Sequence, residues 1–262
     1  MIYPKVLMRN SLAEDNERKV AEKYFTVIDL RSQAAAGDLI IPRYSCLPYY
    51  RELEQDLQNE GARLIQSYKQ HKYIADFEYY RDVKKFTFKS WSMDEIQYAP
   101  EEIRYVVKGC TNSRKFSWNS HMFARNRRRA MEIAAELSCD SIIGSQRIIF
   151  REYIPLLPLE LLCNGLQACA EWRFFYFKNN ILADGFYWSI IEDEHKIDMP
   201  KYVKDFANDV ASIVNKKINF FVLDIGLKED ESPILIEIND GCMSGLSDVN
   251  ADELYSNLLK VL

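Results

Sequence analysis

The sequence predicts an α/β (α+β) fold, and three observations carry that expectation. Short apolar strands alternate with helical stretches through the first third of the chain. The last third holds two hairpin patterns in which paired apolar strands flank short polar turns. The composition, 48% hydrophobic and 28% charged over 262 residues, is that of a globular chain able to offset its ordering entropy by burial.

The elements follow in order. VAEKYFTVIDL starts helical and ends in a strand-like run from Tyr24 to Leu30. DLIIPRYS gives a short strand stopped by Pro42. Pro48 sits early in the helix LPYYRELEQDLQNEG, where Leu53 and Leu57 share a face and Gly61 suits the C-terminal cap. ARLIQS reads as the next strand, and the whole as a small open sheet packed with helices. FTFKSW alternates like a strand, and IRYVVKG is a strand that ends in a lysine. A polar loop, CTNSRKFSWNS, leads into a helix expected from Asn119 or Ser120 to about Leu137. SQRIIFREYIPL is a strand broken by Pro155 and Pro158. AEWRFFYFKNNILADGFYWSI is a hairpin turning at Lys178, Asn179 and Asn180. KYVKDFANDVASIVNKK has helical apolar spacing, NFFVLDIGL and SPILIEIND form the second hairpin around KEDES, and ADELYSNLLKVL is a closing helix.

Charge and motif absences narrow the function. Thirty-four basic and 39 acidic residues leave a net charge of −5, which argues against non-specific coating of nucleic acid or anionic membrane. No apolar run is long enough to span a bilayer, and MIYPKVLMRN lacks the apolar core of a signal peptide. The six cysteines contain no C-x-x-C pair and read as reduced, mostly buried thiols of a cytoplasmic protein. No P-loop, dinucleotide fingerprint or nucleophile elbow is present. His71, His121 and His195 lie far apart in sequence, which disfavours a zinc site or a histidine-based triad.

The second hairpin carries the sharpest signal. Glu237 and Asn239 are two apart and share a strand face, while Ile236 and Ile238 point to the other. Centring the hairpin on KEDES pairs Ile225 with Ile236 and sets Asp224 opposite Glu237. Facing carboxylates repel, so a positive charge belongs between them. Oxygen donors of Asp, Glu and Asn suit Mg²⁺ shared with phosphate. The alternative is the polar face of an edge hairpin.

D-x(12)-E-x-N in this place resembles the metal motif of the ATP-grasp superfamily. VVKG (106–109) looks like that family's strand-borne, phosphate-contacting lysine, and FREYIPL (150–156) its adenine hinge. AEWRFFYFKNNIL (170–182) and EINDGCMSGL (237–246) complete the order. The wording is closest to a clade found in bacteria and their viruses, with Arg81-Asp82-Val83-Lys84 matching its R-x-x-K segment. The resemblance implies an ATP-grasp fold: a small open α/β N-terminal domain (1–80), a central small lobe (81–148) and a C-terminal lobe with the metal site (149–262). The two lobes would sandwich ATP.

It also implies roles. Lys108 would neutralise phosphate, and Arg173 would stabilise the transferring phosphoryl group or acylphosphate. Glu152, Tyr153 and Ile154 would meet adenine, and Glu171 the ribose or base. Lys84, Ser113 and Lys115 are further ATP-binding candidates, with Thr111 and Arg114 in the same loop. Arg81, Ser244 and Gly245 are substrate-binding candidates, Gly241 and Gly245 allowing an anion nest. Asp224, Glu237 and Asn239 would hold the metal. The loop after Lys108 has no glycine beyond Gly109, a departure from the family that favours a side-chain clamp over a backbone one. Each reading has a plainer alternative: a snorkelling lysine at 108, a Glu171 partner for Arg173, a basic surface turn at Arg81 and Lys84. Arg125, Arg127, Arg128 and Arg129 read as a solvated helical face, with a polyanion site as the sharper alternative. Trp91, Trp118 and Trp188 read as packing residues, with a place in the cleft wall as the alternative for Trp118, next to the proposed clamp.

The implied activity is an ATP- and Mg²⁺-dependent carboxylate–amine ligase acting through an acylphosphate, with Mn²⁺ as an alternative metal. Its partners would be a small-molecule or peptide carboxylate and an amine, with no membrane and an oligomer allowed. A kinase on the same scaffold, a non-catalytic nucleotide-binding protein and a polynucleotide-modifying enzyme are the alternatives.

Overall fold

The computed structural model describes residues 3–9, 15–163 and 165–262. The N-terminal stretch is described from Tyr3 to Arg9, and the rest of MIYPKVLMRN lies outside the described residues.

The first third forms a parallel sheet. In chain order it holds β1 (Tyr3–Leu7), α1 (Asp15–Ala21), β2 (Thr26–Ile28), β3 (Asp38–Pro42), α2 (Tyr50–Asn59) and β4 (Arg63–Leu64). The strand order is β2-β1-β3-β4. Leu53 and Leu57 of α2 pack with Leu7 and Ile40 on one face of this sheet. The other face, with Val6 and Ile41, meets the C-terminal half of the molecule. α3 (Tyr68–Ala75) follows, capped by the Ser67 hydroxyl accepting from the Gln70 N–H at 3.2 Å. α4 (Tyr80–Val83) leads out of it.

A small antiparallel sheet comes next, ordered β5-β8-β6-β7. Its members are β5 (Ser90–Ser92), β6 (Tyr105–Gly109), β7 (Phe123–Ala124) and β8 (Ile148–Glu152), with helices α5 (Trp118–His121) and α6 (Arg127–Ser138) between them. The helix expected from Asn119 to Leu137 is therefore two helices separated by a short strand. The physical reason is Asn126, which leaves the helical region (φ −157°) and caps α6 by accepting from the Arg129 N–H at 2.9 Å. FTFKSW contributes only Ser90 and Trp91 to the sheet, as the start of β5, while Thr87 bridges to Leu235 instead. Tyr105, Val107 and Phe150 point to α6 and form a core with Ile133 and Leu137. Period-2 alternation leaves Val106, Lys108 and Arg151 on the opposite face.

The remainder holds β9 (Pro158–Leu161), β10 (Gln167–Cys169), β11 (Glu171–Phe177), β12 (Asn180–Phe186), α7 (Lys201–Val214), β13 (Phe220–Leu227), β14 (Pro233–Asp240) and α8 (Ala251–Val261). The large sheet is antiparallel, ordered β12-β11-β13-β14. Both its faces are covered. Trp172, Phe174 and Tyr176 alternate into a core with α7, whereas Phe175, Phe177, Phe220 and Val222 pack toward β1, β3 and α8. Two-sided burial explains why EWRFFYF and FFVLDIGL read as nearly continuous apolar runs rather than alternating ones. On the second face the apolar set stops partway. From Phe220 and Val222 the same face continues into Asp224, and from Phe177 and Phe175 into Arg173 and Glu171.

The β13–β14 register sets Asp224 opposite Glu237. Ile225, however, pairs with Leu235 and not with Ile236, because a β-bulge falls just after Asp224. Ile236 is the extra residue. It leaves the core face and lines a cavity beside Glu237, while Ile238 stays fully buried in the core.

Candidate nucleotide and substrate site

Two cavities lie between the small sheet and the polar end of the large sheet. One, of about 240 Å³, has apolar walls that include Val106, Met122, Leu156, Trp188 and Ile236. The segment Glu152–Ile154 forms part of its rim. Tyr153 is braced there by the edge of Phe123 at 5.2 Å and by the Arg104 guanidinium at 4.8 Å. The second cavity, of about 330 Å³, is polar and is lined by Arg173, Asn239, Ser244 and Gly245 among others. Lys108, Ser113, Lys115 and Glu237 line both, so the charged cluster sits at their junction.

That cluster consists of two ion pairs. Lys108, 6% exposed at the end of β6, donates to Glu237 Oε1 across the gap between the sheets. Arg173 grips Asp224 in a two-pronged fork, Nε to Oδ1 and Nη2 to Oδ2, both at 2.8 Å. Its third arm, Nη1, donates to the Gly245 carbonyl at 2.7 Å. Asn239 donates its amide N–H to Asp224 Oδ2 at 3.2 Å. The cations that the facing carboxylates require are thus Arg173 and Lys108, and Arg173 bonds Asp224 rather than Glu171. Burial raises the cost of ionising Glu237, but Lys108, Lys115 and Arg151 outweigh it and hold the carboxyl below its ordinary range. Burial pushes the Lys108 ammonium down, and Glu237 opposes that shift.

The oxygen set of Asp224, Glu237 and Asn239 suits a hard divalent cation in its chemistry. Glu237 and Asn239 face the polar cavity, whereas Asp224 lies behind them, 1% exposed and held by Arg173. Among the described residues, no three His, Cys, Asp or Glu side chains form a metal cluster, so the amide of Asn239 is needed to complete a set of three.

Glu171 is 3% exposed, and its Oε1 has no hydrogen-bond partner among the described residues. It lines the apolar cavity. Burial pushes its carboxyl up from an ordinary 4.5 to about 7, against the pull of Lys115. The sign of the linkage is set by proton count. Between those two values the folded state holds the proton that the unfolded state has released, so stability falls as pH rises through that window and levels off above about 7. Glu171→Gln should flatten this slope in urea unfolding measured from pH 4.5 to 7.5. A variant slope equal to that of the native protein would remove Glu171 as its source.

The loop after Lys108 is anchored by side chains. The N–H groups of Thr111 and Asn112 donate to Gln146 Oε1 at 3.1 and 3.2 Å. Gly109 permits this, because a Cβ there would sit 2.5 Å from the same oxygen. Arg114 is taken by Asp140, whose carboxyl is held down to about 2, first by the N–H groups of Ile143 and Ile142 and then by Arg114 itself. Arg114 therefore lies outside both cavities. Lys115 reaches inward and donates to the Tyr187 hydroxyl, with its ammonium 4.2 Å from that ring's centre.

The loop after β14 is organised differently from an open anion nest. The N–H groups of Met243 and Ser244 donate to the Asp240 carbonyl, and that of Cys242 to Asp240 Oδ1. Asp240 is bound in turn by His71 Nδ1 at 3.0 Å, and the Arg43 guanidinium donates to the Gly241 carbonyl. These contacts tie the N-terminal third to the site.

Several candidates fall elsewhere. Arg81 and Lys84 are exposed and line neither cavity. Arg127, Arg128 and Arg129 are neutralised by Glu101, Glu132 and Glu136, which makes them a solvated helical face. Arg151 is the residue that sequence reasoning missed. It is 6% exposed, lines the apolar cavity, and donates to the Ile236 carbonyl at 2.5 Å, while its Nε has no partner among the described residues. Its signal was an arginine alternating with the core residue Phe150. All six cysteines are free and four are buried. No helix among the described residues is long and apolar enough to cross a membrane.

Comparison with known proteins gives a consistent result. A family model described as an ATP-grasp domain, family 3 of its clade, matches residues 83–258. No curated protein matches the chain. Among solved structures, D-cycloserine synthetase DcsG is similar with a TM-score of 0.62 at 14% identity, covering 100% of this chain and 99% of that one. ATP-grasp ligase PsnB, complexed with minimal precursor, Mg and ADP, has a TM-score of 0.58 at 10% identity, with 99% and 97% covered. D-alanine–D-alanine ligase from Bacillus anthracis, complexed with ATP, has a TM-score of 0.54 at 10% identity, with 92% and 86% covered. At such identities these likenesses establish the fold.

Proposed function

The chain belongs to the ATP-grasp domains, in family 3 of the clade whose model it matches, and from that premise we propose that it is an ATP-dependent, ADP-forming carboxylate–amine ligase. The observation that carries this reading is the Lys108–Glu237 pair at the junction of an apolar and a polar cavity. The named ligases that share the fold support it. Residues 1–80 would act as the N-terminal domain, 81–148 as the small lobe and 149–262 as the C-terminal lobe, in a cytoplasmic protein.

In this reading the adenine end enters the apolar cavity against Glu152, Tyr153 and Ile154, and Glu171 meets the ribose. The phosphates reach the junction, where Lys108, Ser113 and Lys115 face them, with Arg151 beside it in the wall of the apolar cavity. The carboxylate substrate occupies the polar cavity beside Arg173, Ser244 and Gly245. One carboxylate oxygen attacks the terminal phosphorus and ADP leaves, giving an acylphosphate. The amine then attacks the acyl carbon, phosphate leaves with the C–O electrons, and the amine proton is lost. Arg173 would offset the charge that builds on the acylphosphate. Mg²⁺, or Mn²⁺ in its place, would be held by Glu237 and Asn239, with Asp224 behind them, and would supply charge neutralisation at the phosphates.

The first test is thermal stability with ATP, with Mg²⁺ and with both. Ligand at 100 times its dissociation constant adds about 2.7 kcal/mol. A shift needing both components is expected, followed by ADP release that depends on a carboxylate and an amine. A phosphorylated acceptor accumulating in place of an amide would establish the kinase alternative.

Lys108→Ala should weaken ATP about ten- to hundredfold, the scale of one charged hydrogen bond, and leave adenosine within about twofold. Equal weakening of both in a calorimetric titration would place this lysine away from the phosphates.

A further inference from the structure

A third cavity, of about 290 Å³, lies in the N-terminal third, outside the site described above. It is lined by Leu7, Arg9, Arg31, Tyr44, Cys46 and Tyr49, among others. Leu7 ends β1, and Tyr44 and Cys46 follow the end of β3. The cavity therefore opens at the carboxyl ends of parallel strands. The sheet order β2-β1-β3-β4 reverses direction between β1 and β3, which is the switch point where open parallel sheets take ligands.

Its charges are unequal. Arg31 is matched by Asp56 at 2.5 Å, and the lining residue Asp29 is matched by Arg18 at 2.5 Å. Arg9 has no acidic partner among the described residues, and its guanidinium lies 4.8 Å from the centre of the Tyr44 ring. Burial pushes the Tyr44 hydroxyl and the Cys46 thiol up to about 12, so both are neutral near pH 7. Among the described residues one positive charge remains, on a planar fork that matches a carboxylate. A single excess charge suits a monoanion better than a doubly charged phosphate. Leu30 and Tyr49, both 62% exposed, offer an apolar rim on which methylene groups can rest.

The wall between this cavity and the polar one is thin. The Cys46 N–H lies 3.3 Å from Met243 Sδ. Cys46 lines the third cavity and Met243 the polar one. A ligand whose reacting end sits by Arg173 would have to pass over Met243 to reach Arg9.

We propose that the cavity at the β1–β3 switch point is a subsite for a second carboxylate on the substrate, held by Arg9. The substrate class is then an acidic peptide or comparable polycarboxylate. This rests on the ligase reading for the identity of the polar cavity, and its test separates the two. The probes are triglutamate and triglutamine, titrated calorimetrically into the full chain with Mg²⁺ and the non-hydrolysable analogue AMP-PNP. Triglutamate should bind about tenfold tighter or more, as one charged hydrogen bond implies. Arg9→Gln should reduce that ratio to within about twofold while leaving AMP-PNP affinity unchanged, and Arg9→Lys, which keeps charge without the fork, should fall between. Equal binding of the peptides, no binding of either, or a ratio that survives Arg9→Gln would overturn the subsite. If the ratio behaves as expected but triglutamate elicits no ADP release with an amine present, the subsite stands and the ligase reading falls. If both peptides elicit ADP release alike and Arg9→Gln changes nothing, the ligase reading stands and the subsite falls.

Discussion

Replacing Glu237 with glutamine should lower Mg²⁺-dependent turnover about a hundredfold or more, the scale of losing one preorganised electrostatic group. The substitution keeps the side-chain volume and removes the charge. In the proposed site that charge has two duties. It holds the metal, and it balances the Lys108 ammonium, which burial already pushes down. Without it, the lysine has less reason to stay protonated in the cleft. The amide oxygen can still accept from Lys108, so the fold should survive. The measurement is ADP release at saturating ATP across a Mg²⁺ series, with the thermal midpoint as a control. Undiminished turnover would sink the metal assignment, because an amide of the same shape cannot replace a carboxylate as a hard anionic ligand.

The second large effect concerns Arg173. Its fork to Asp224 is buried on both sides, with side-chain exposures of 10% and 1%. Removing one partner of such a pair leaves an uncompensated charge and typically costs about 3–5 kcal/mol. Arg173→Met should therefore lower the urea midpoint strongly. The same substitution combined with Asp224→Leu should recover most of that loss, since an apolar replacement of a whole buried pair is often neutral. Turnover should not return with stability, because the proposed acylphosphate-stabilising group and the Asp224 carboxylate are both gone. A double variant as unstable as the single would mean that the pair is not the source of the loss. A double variant that is both stable and active would remove Arg173 from the chemistry.

Much of the site's geography was legible because strands carry a period of two. Glu237 and Asn239 had to share a face, and Asp224 had to be near them if the hairpin closed on KEDES. The bulge was not legible. Whether Ile236 follows the pleat or leaves it depends on contacts from outside the strand, such as the Leu235 N–H donating to Phe86 O at 2.8 Å and Arg151 donating to the Ile236 carbonyl. These come from far along the chain. Arg151 was missed for the same reason. One arginine among apolar strand residues looks like a surface residue until a second sheet covers it.

The loop residues show the opposite failure. Ser113 and Lys115 were candidates in sequence, and nothing there set Arg114 between them apart in chemistry. Ser113 and Lys115 face the cavities and Arg114 is turned away, because Asp140 waits at the end of α6. Arg81 and Lys84 matched a motif, yet the turn that carries them faces solvent. A motif fixes residue types and spacing, whereas exposure is set by what packs over the turn.

The sequence by itself therefore determined the family, the order of the elements and the identity of the charged groups on each strand, because these follow from local patterning and residue chemistry. Only the tertiary structure decided which charges meet. Lys108 and Glu237 are 129 residues apart, and Arg173 and Asp224 are 51 apart. Such pairs form where two sheets and their cores converge, and desolvation there makes each buried charge take the partner within its reach.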